Sequence, residues 1–310
     1  MDFTNHPELP KAQFLLAESE LQLKRYADAA QAYERLLANF DKNDDFPAAV
    51  FHLAGAYFAQ DKFADAARVY ARLLEEYPDS DYSSPALYNQ ALCYQKLGKL
   101  DLAQYAFQKY AAEAKPGDAQ ADDALWATFQ IEKDRKDFDA AIGTLARIRR
   151  RPGADVLEAW YREGELRVEQ GRPDAALAVW ERMRGLKPAG SRYRLQALIE
   201  LGKAYEKMND NAGAADVYAE LARVGPKDTA KAAAARAAAL RKLAGNAKPR
   251  PRPKPADDAA AAEDDGTMVM PADAGDTGAA APEPAAPDKA AKKKSAVAEP
   301  SLPGMSDSGQ

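Results

Sequence analysis

The sequence predicts an all-α fold: a solenoid of about six helix pairs over residues 1–245 that ends in an alanine-rich capping helix. Three observations predict it. A pattern of 34 positions recurs six times, its small and large residues fall at helical spacing, and every aromatic residue lies before residue 246. Residues 246–310 are rich in proline and lack aromatic side chains, so we predict a disordered tail there.

The first element is the repeat itself, whose frames begin at residues 10, 47, 84, 122, 157 and 195. Two positions are alanine in all six frames. Position 3 is Ala12, Ala49, Ala86, Ala124, Ala159 and Ala197, and position 20 is Ala29, Ala66, Ala103, Ala141, Ala176 and Ala214. Helices approach closely where side chains are small, so these alanines predict the contacts between paired helices.

Three further positions complete the pattern. Position 24 is large throughout, as Tyr33, Tyr70, Phe107, Leu145, Trp180 and Tyr218. Position 27 is large as well, and position 8 is small in five frames, as Ala17, Ala54, Ala91, Gly164 and Gly202. The fourth frame has Phe129 at position 8, so we expect its two helices to lie further apart or to be rotated.

This pattern resembles the tetratricopeptide repeat (TPR), a helix-turn-helix unit with small residues at positions 8 and 20 and a turn near position 15. Gly98 and Gly171 fall at that turn. The resemblance covers residues 10 to 228 and implies a right-handed superhelix. It also implies a concave groove, lined by the first helix of each pair, that binds proteins rather than small molecules.

The predicted ends of the solenoid differ. At the C-terminal end, residues 228–245 read DTAKAAAARAAALRKLAG, in which Asp228 or Thr229 is expected to cap the helix and Gly245 to end it. The N-terminal end has no equivalent cap, so its edge is predicted to be uncovered. In the tail, KPRPRPKP predicts an extended spacer, and Thr267 to Met270 form a short apolar island.

Composition argues against several classes of function. The net charge of −5 lacks the basic excess of a general nucleic-acid binder. One cysteine and two histidines, His6 and His52, are too few for a metal cluster. No histidine or second cysteine lies close to Cys93 in sequence to make it a nucleophile. No carboxylate pair or phosphate-binding glycine loop stands out. We therefore predict a protein that is not an enzyme and takes no cofactor, metal or small-molecule substrate.

The candidate binding residues follow from position 5 of the repeat, which lies on the face that lines the groove in this family. Five of its six residues are aromatic: Phe14, Phe51, Tyr88, Trp126 and Tyr161. Phe58 and Asn89 are placed on the same groove. Aromatic side chains give large contact area at a low entropy cost, as in interface hot spots. The alternative is that they only support the fold.

A second candidate surface is the arginine run of ARIRRRPG. Its members are Arg147, Arg149, Arg150 and Arg151, in the fourth repeat. Together with arginines of the fifth repeat they form a possible basic patch for RNA or for the acidic tail. The alternative is a solvated helix end whose cations complement the helix dipole.

Three functions are compatible with these features. The first is an adaptor that holds a peptide or partner helix in the groove, and the third is RNA binding through the arginines. The second is a structural subunit of a bacterial envelope assembly that uses the uncovered N-terminal edge. The run ARLLEEYPDSDYSSPALY resembles envelope TPR proteins, namely the Tol-Pal-associated periplasmic coordinator and the barrel-assembly lipoprotein.

The predicted compartment follows from the chain's first residues and from hydropathy. MDFTNHPELPK has neither a basic segment nor an apolar core, so the chain as it stands is expected to be cytoplasmic. It would be periplasmic if the N-terminus is truncated. No run of eighteen apolar residues occurs, so no transmembrane segment is predicted.

Overall fold

The computed structural model describes residues 8–40, 43–151 and 155–251. Those residues form thirteen α-helices and no strand, which confirms the all-α helix-pair fold. In chain order the helices are α1 (Leu9–Gln22), α2 (Tyr26–Asn39), α3 (Phe46–Phe58), α4 (Phe63–Glu76), α5 (Ser83–Lys96), α6 (Leu100–Glu113), α7 (Ala119–Asp134), α8 (Phe138–Arg150), α9 (Val156–Glu169), α10 (Pro173–Met183), α11 (Arg192–Lys207), α12 (Asn211–Val224) and α13 (Lys227–Ala244).

The helices belong to two compact units. Unit one holds α1 to α6 and unit two holds α7 to α13. Within each unit the two helices of a repeat pack on each other, and the first helix also packs on the preceding repeat. The predicted tail lies outside the described residues from 252 onward, as do Thr267 to Met270 and His6.

One turn joins the two helices of every repeat. Residue 15 of each frame adopts a left-handed backbone, with φ between 57° and 76°, at Lys24, Asp61, Gly98, Lys136, Gly171 and Asn209. The N–H of the next residue donates back to the helix end, as from Lys62 to the Tyr57 carbonyl at 3.0 Å. This is the Schellman ending, which closes a helix by satisfying its last carbonyls. The two glycines predicted the turn, and four non-glycine residues adopt it as well.

Within a repeat, position 8 faces position 24. A Cβ atom on Gly202 would lie 2.6 Å from Tyr218 Cζ, and one on Gly164 would overlap the indole of Trp180. In repeat four, position 8 is larger than in the other repeats, as Phe129, and position 24 is an aliphatic residue, Leu145. Both side chains are buried. Phe129 and Leu145 together are larger than the corresponding pair in any other repeat, so the expectation that these two helices lie further apart or are rotated stays a prediction.

Between repeats, the contact is made by positions 3, 7, 10 and 14 of the first helix, here called the inter-repeat stripe. In repeat two, Ala49, Leu53 and Ala56 join a core cluster with residues of α2. In repeat three, Gln90 Nε2 donates to the Ala67 carbonyl of α4 at 3.3 Å. Position 14 contributes too, since Gln60 Nε2 donates to the Tyr26 carbonyl at 3.1 Å.

The capping helix is the first helix of an unfinished seventh repeat. Its buried residues Ala233, Ala237 and Leu240 have the spacing of stripe positions 3, 7 and 10, and α13 packs on α12. Gly245 ends it with φ 57°, as predicted. The predicted start was wrong: the helix begins at Lys227 after Pro226, so neither Asp228 nor Thr229 is its N-cap.

Candidate protein-binding surface

Four of the aromatic residues at position 5 are half-buried: Phe14, Tyr88, Trp126 and Tyr161. Three of them pack on aromatic residues of the second helix in their own repeat. Phe14 lies 6.2 Å from Tyr33, Tyr88 lies 5.7 Å from Phe107, and Tyr161 lies 6.4 Å from Trp180, measured between ring centroids. Each ring therefore contributes to the fold and keeps part of its surface exposed, so the two readings of position 5 are not exclusive.

Phe51 is placed differently from the rest of the series. Only 3% of its surface is exposed, and its ring lies 5.7 Å from Tyr70 and 5.3 Å from Tyr82. The expectation that Phe51 anchors a ligand is therefore not supported by its position, because it belongs to the core of unit one. The covering residue, Tyr82, comes from the linker before α5, which the repeat pattern does not describe.

Phe58 and Asn89 lie in the same unit. Phe58 is half-buried, with its ring 5.1 Å from that of Phe63. The Asn89 amide donates to Tyr70 Oη at 3.3 Å, so it helps to hold the second helix of the preceding repeat. We call Phe14, Phe58 and Tyr88 the aromatic face of unit one.

A partly buried polar cluster lies in the same unit. Tyr33 Oη donates to Glu18 Oε1, and His52 Nε2 lies 3.7 Å from the same oxygen. His52 Nδ1 is buried without a hydrogen-bond partner, and the imidazole stacks with Tyr33 and lies edge-on to Tyr82. Burial lowers the pKa of His52 and outweighs the opposing effect of Glu18. Burial and Glu18 both raise the pKa of Tyr33.

The lowered pKa of His52 predicts that acid destabilises unit one. The folded state favours neutral imidazole, whereas the unfolded chain takes up a proton below pH about 6.5. The stabilisation is therefore complete above that pH and is lost as the pH falls toward the folded-state pKa. We expect the free energy of unfolding, measured by urea denaturation, to fall more steeply with acid in the wild type than in His52→Asn.

Asparagine is the matched replacement, because Asn89 occupies the same position of the next repeat. Carboxylates elsewhere contribute equally to the pH dependence of unfolding in both proteins, so their effect cancels when the two profiles are subtracted. Parallel pH profiles for the two proteins would contradict the role given to His52.

In unit two the residues around position 5 are charged. Arg162 Nη1 lies 2.9 Å from Glu165 and Nη2 lies 3.3 Å from Glu158. Burial, together with the nearby Glu165 and Glu200, raises the pKa of Tyr161 to about 12. The carboxylates bonded to Arg162 thus form a paired, partly buried network next to the tyrosine.

The predicted basic patch is not one exposed surface. Arg149 is 10% exposed; its guanidinium lies 2.8 Å from Glu163 and 3.8 Å from the ring centroid of Trp160. Arg151 forms an ion pair with Asp122 and donates to the Asp118 carbonyl at 2.8 Å. Arg147 is half-buried and Arg150 exposed. The sequence does not show that two of the four arginines have carboxylate partners on neighbouring helices.

Cys93 has no surface from which to act. It is fully buried in the core of unit one, and burial raises the pKa of its thiol to about 12. The thiolate that a nucleophile needs is therefore scarce at neutral pH. Among the described residues no group of three histidine, cysteine or carboxylate side chains could hold a metal ion. No helix in the described ranges is long and apolar enough to cross a bilayer.

Helix pairs joined by one recurring turn, stacked through one stripe and carrying half-buried aromatic residues define a helical repeat scaffold. The chain belongs to the tetratricopeptide repeat family: one TPR model matches residues 4–44, 14–81 and 128–191, and a second matches residues 85–114 and 196–224. Repeats of this family generally mediate protein–protein interaction, and the fold is typical of non-enzymatic scaffolds.

The chain is similar to several solved structures, all at low identity. The C-terminal part of a TPR repeat-containing protein from Cytophaga hutchinsonii is 17% identical, with a TM-score of 0.46, and the match covers 74% of this chain and 95% of that one. A TPR protein from Parabacteroides merdae is 18% identical, with a TM-score of 0.38, and the match covers 76% of this chain and 86% of that one.

A third similar structure is a complex. The TPR2AB domain of yeast Sti1 with pHSP90 is 13% identical, with a TM-score of 0.35 and coverage of 76% and 96%. No match was found among curated proteins.

Proposed function

We propose that this protein is an adaptor that binds a peptide or helix of a partner protein on the aromatic face of unit one. One observation carries the proposal: Phe14 and Tyr88, at the same repeat position, keep exposed ring surface while Ala17 and Ala86 beside them are fully buried. A packed scaffold thus holds large apolar groups at its surface.

The aromatic face suits a partner that inserts apolar side chains. Each ring packs on a second ring, with centroids 6.2 Å apart for Phe14, 5.1 Å for Phe58 and 5.7 Å for Tyr88. Little rotamer freedom remains to be lost when a ligand binds, which favours affinity. An amphipathic helix meets such a face with residues spaced three and four apart.

The charged network of unit two is a less suitable surface for such a partner. Glu158 and Glu165 share Arg162, so a ligand there must compete with ion pairs that already exist. Apolar burial on the aromatic face of unit one is therefore proposed as the source of affinity.

RNA binding is not proposed. Arg149 and Arg151 are held by Glu163 and Asp122, so half of the predicted patch is engaged inside unit two. Phosphate binding by these two arginines would have to break these contacts.

The test compares full-length variants in a quantitative affinity capture. In the first, Phe14, Phe58 and Tyr88 are replaced by alanine. The buried Phe51 is kept, because replacing it would destabilise the core. Leu243→Ala is the matched control, because Leu243 is an exposed apolar residue on α13. Circular dichroism establishes that all proteins are folded.

We expect proteins captured by the wild type and by Leu243→Ala to be lost from the triple variant. Binding of the identified partner segment, measured by calorimetry, should weaken at least tenfold for the triple variant, as expected when hot-spot aromatic residues are truncated. Equal capture by all three proteins would show that the aromatic face only supports the fold.

A further inference from the structure

The inter-repeat stripe of α1 is exposed. Its residues are Ala12, Leu16, Ser19 and Leu23, at positions 3, 7, 10 and 14, and all four are exposed to solvent. Leu16 and Leu23 keep 53% and 61% of their surface accessible. The position-7 residues of repeats two, three, five and six are all buried: Leu53, Gln90, Glu163 and Leu201.

The other end of the described chain is built differently. The stripe of α13 is buried on α12, and the residues that α13 turns to solvent are mostly alanine, lysine and arginine. Leu243 is the one large apolar residue exposed on that helix. The C-terminal end thus has the polar outer face of a capping helix, whereas α1 carries the apolar face of an internal one.

We propose that the stripe of α1 is a self-association surface, on which α1 of a second copy packs in antiparallel orientation. This inference concerns a surface separate from the aromatic face and goes beyond the proposed function. It rests on the order of residue sizes along the stripe. Small and large residues alternate, from Ala12 through Leu16 and Ser19 to Leu23.

An antiparallel pair with its two-fold axis between residues 17 and 18 makes this order self-complementary. Ala12 of one copy then faces Leu23 of the other, and Leu16 faces Ser19. Every leucine meets a small residue, which is the condition for ridges to enter grooves. A two-fold interface of this kind uses the same patch twice and closes at the dimer rather than growing into a filament.

The size of the surface predicts a weak dimer. Two helices of this length packed along one stripe bury on the order of 1,000 Å² in total, at the low end for specific interfaces. We therefore expect reversible association with a dissociation constant in the micromolar range or above.

Sedimentation equilibrium on the full chain, from about 10 to 500 μM, tests the proposal. The wild type is expected to dimerise, and Leu16→Glu/Leu23→Glu to raise the dissociation constant at least tenfold. Leu243→Glu, the control on the exposed apolar residue of α13, should behave as the wild type. Both leucines are at the surface, so circular dichroism should find the stripe variant folded.

Two results would overturn the proposal: a wild type that stays monomeric over the whole range, or a dimer that persists in the stripe variant. In the first case the occupant would have to be sought in residues 1–7 or in a helix of another protein.

A cysteine experiment tests the orientation. In the antiparallel pair, Ala12 of one copy is next to Leu23 of the other, while the two copies of Ala12 are about 16 Å apart. A mixture of Ala12→Cys and Leu23→Cys should form disulfide dimers under mild oxidation, and neither variant alone should do so. Cross-linking of each variant with itself would overturn the antiparallel arrangement. The buried Cys93 thiol does not compete.

Discussion

Replacement of Glu163 by alanine should lower the free energy of unfolding of unit two by about 3 to 5 kcal/mol, the usual cost of breaking a buried ion pair. Glu163 is 3% exposed and accepts hydrogen bonds from Arg149 at 2.8 Å and from Arg167 at 3.1 Å. Without it, the Arg149 guanidinium stays buried against Trp160 and loses this carboxylate. Urea denaturation measures the difference.

The control is Glu169→Ala. Glu169 pairs with Lys133 at 3.6 Å, but the two side chains are 47% and 28% exposed, so this loss should cost less than about 1 kcal/mol. Arg149→Leu/Glu163→Leu should recover most of the stability, because it recreates the apolar contact that Leu37 and Leu53 make at the same positions three junctions earlier. Equal effects of the two glutamate variants would show that burial does not strengthen the Glu163 pair.

Replacement of Gly164 by alanine should destabilise unit two by about 1 to 3 kcal/mol, the typical cost of overpacking. The added methyl group would overlap the indole of Trp180, which is buried and whose Nε1 lies 3.5 Å from the Tyr161 carbonyl. The tryptophan must move for alanine to fit, and the neighbouring rings limit where it can go. Thermal and urea unfolding both measure the effect.

Gly143→Ala is the matched control. Gly143 lies within α8, and a Cβ atom there would have no neighbour within 4 Å, so alanine should stabilise the helix by about 0.5 to 1 kcal/mol. In a Trp180→Leu background the cost of Gly164→Ala should shrink, because repeat four already combines a larger position 8 with leucine at position 24. A cost that is the same in both backgrounds would show that Trp180 is not the obstacle.

The helix pairs and their number were predictable from the sequence, because the alanines at positions 3 and 20 recur in register. The turns were only partly predictable. Glycine indicates a left-handed residue, but Lys24 and Lys136 adopt the same backbone without any signal in their side chains. The helix-end hydrogen bonds impose that conformation, so the fold overrides the local preference.

The candidate site was less predictable than the fold. Position 5 identified the half-buried rings of Phe14 and Tyr88, but Phe51 is covered by Tyr82 from a linker outside the repeat frame. The basic patch predicted from the arginine run is not one exposed surface, for a similar reason. Arg149 and Arg151 find their carboxylates 14 and 29 residues away, on other helices, and periodicity within one helix does not reveal such pairs.

The ion pair between Arg149 and Glu163 also fixes the order of the repeats. It joins the second helix of repeat four to the first helix of repeat five. Repeat four supplies the arginine and repeat five the glutamate, so each of these two repeats needs the other as its neighbour. A recombination event that deleted or duplicated a repeat at this junction would leave a charge buried without its counterpart. At the junction of repeats two and three, Gln90 donates to a backbone carbonyl, which any neighbour supplies. Changes in repeat number during evolution are therefore expected at that earlier junction and not at this one.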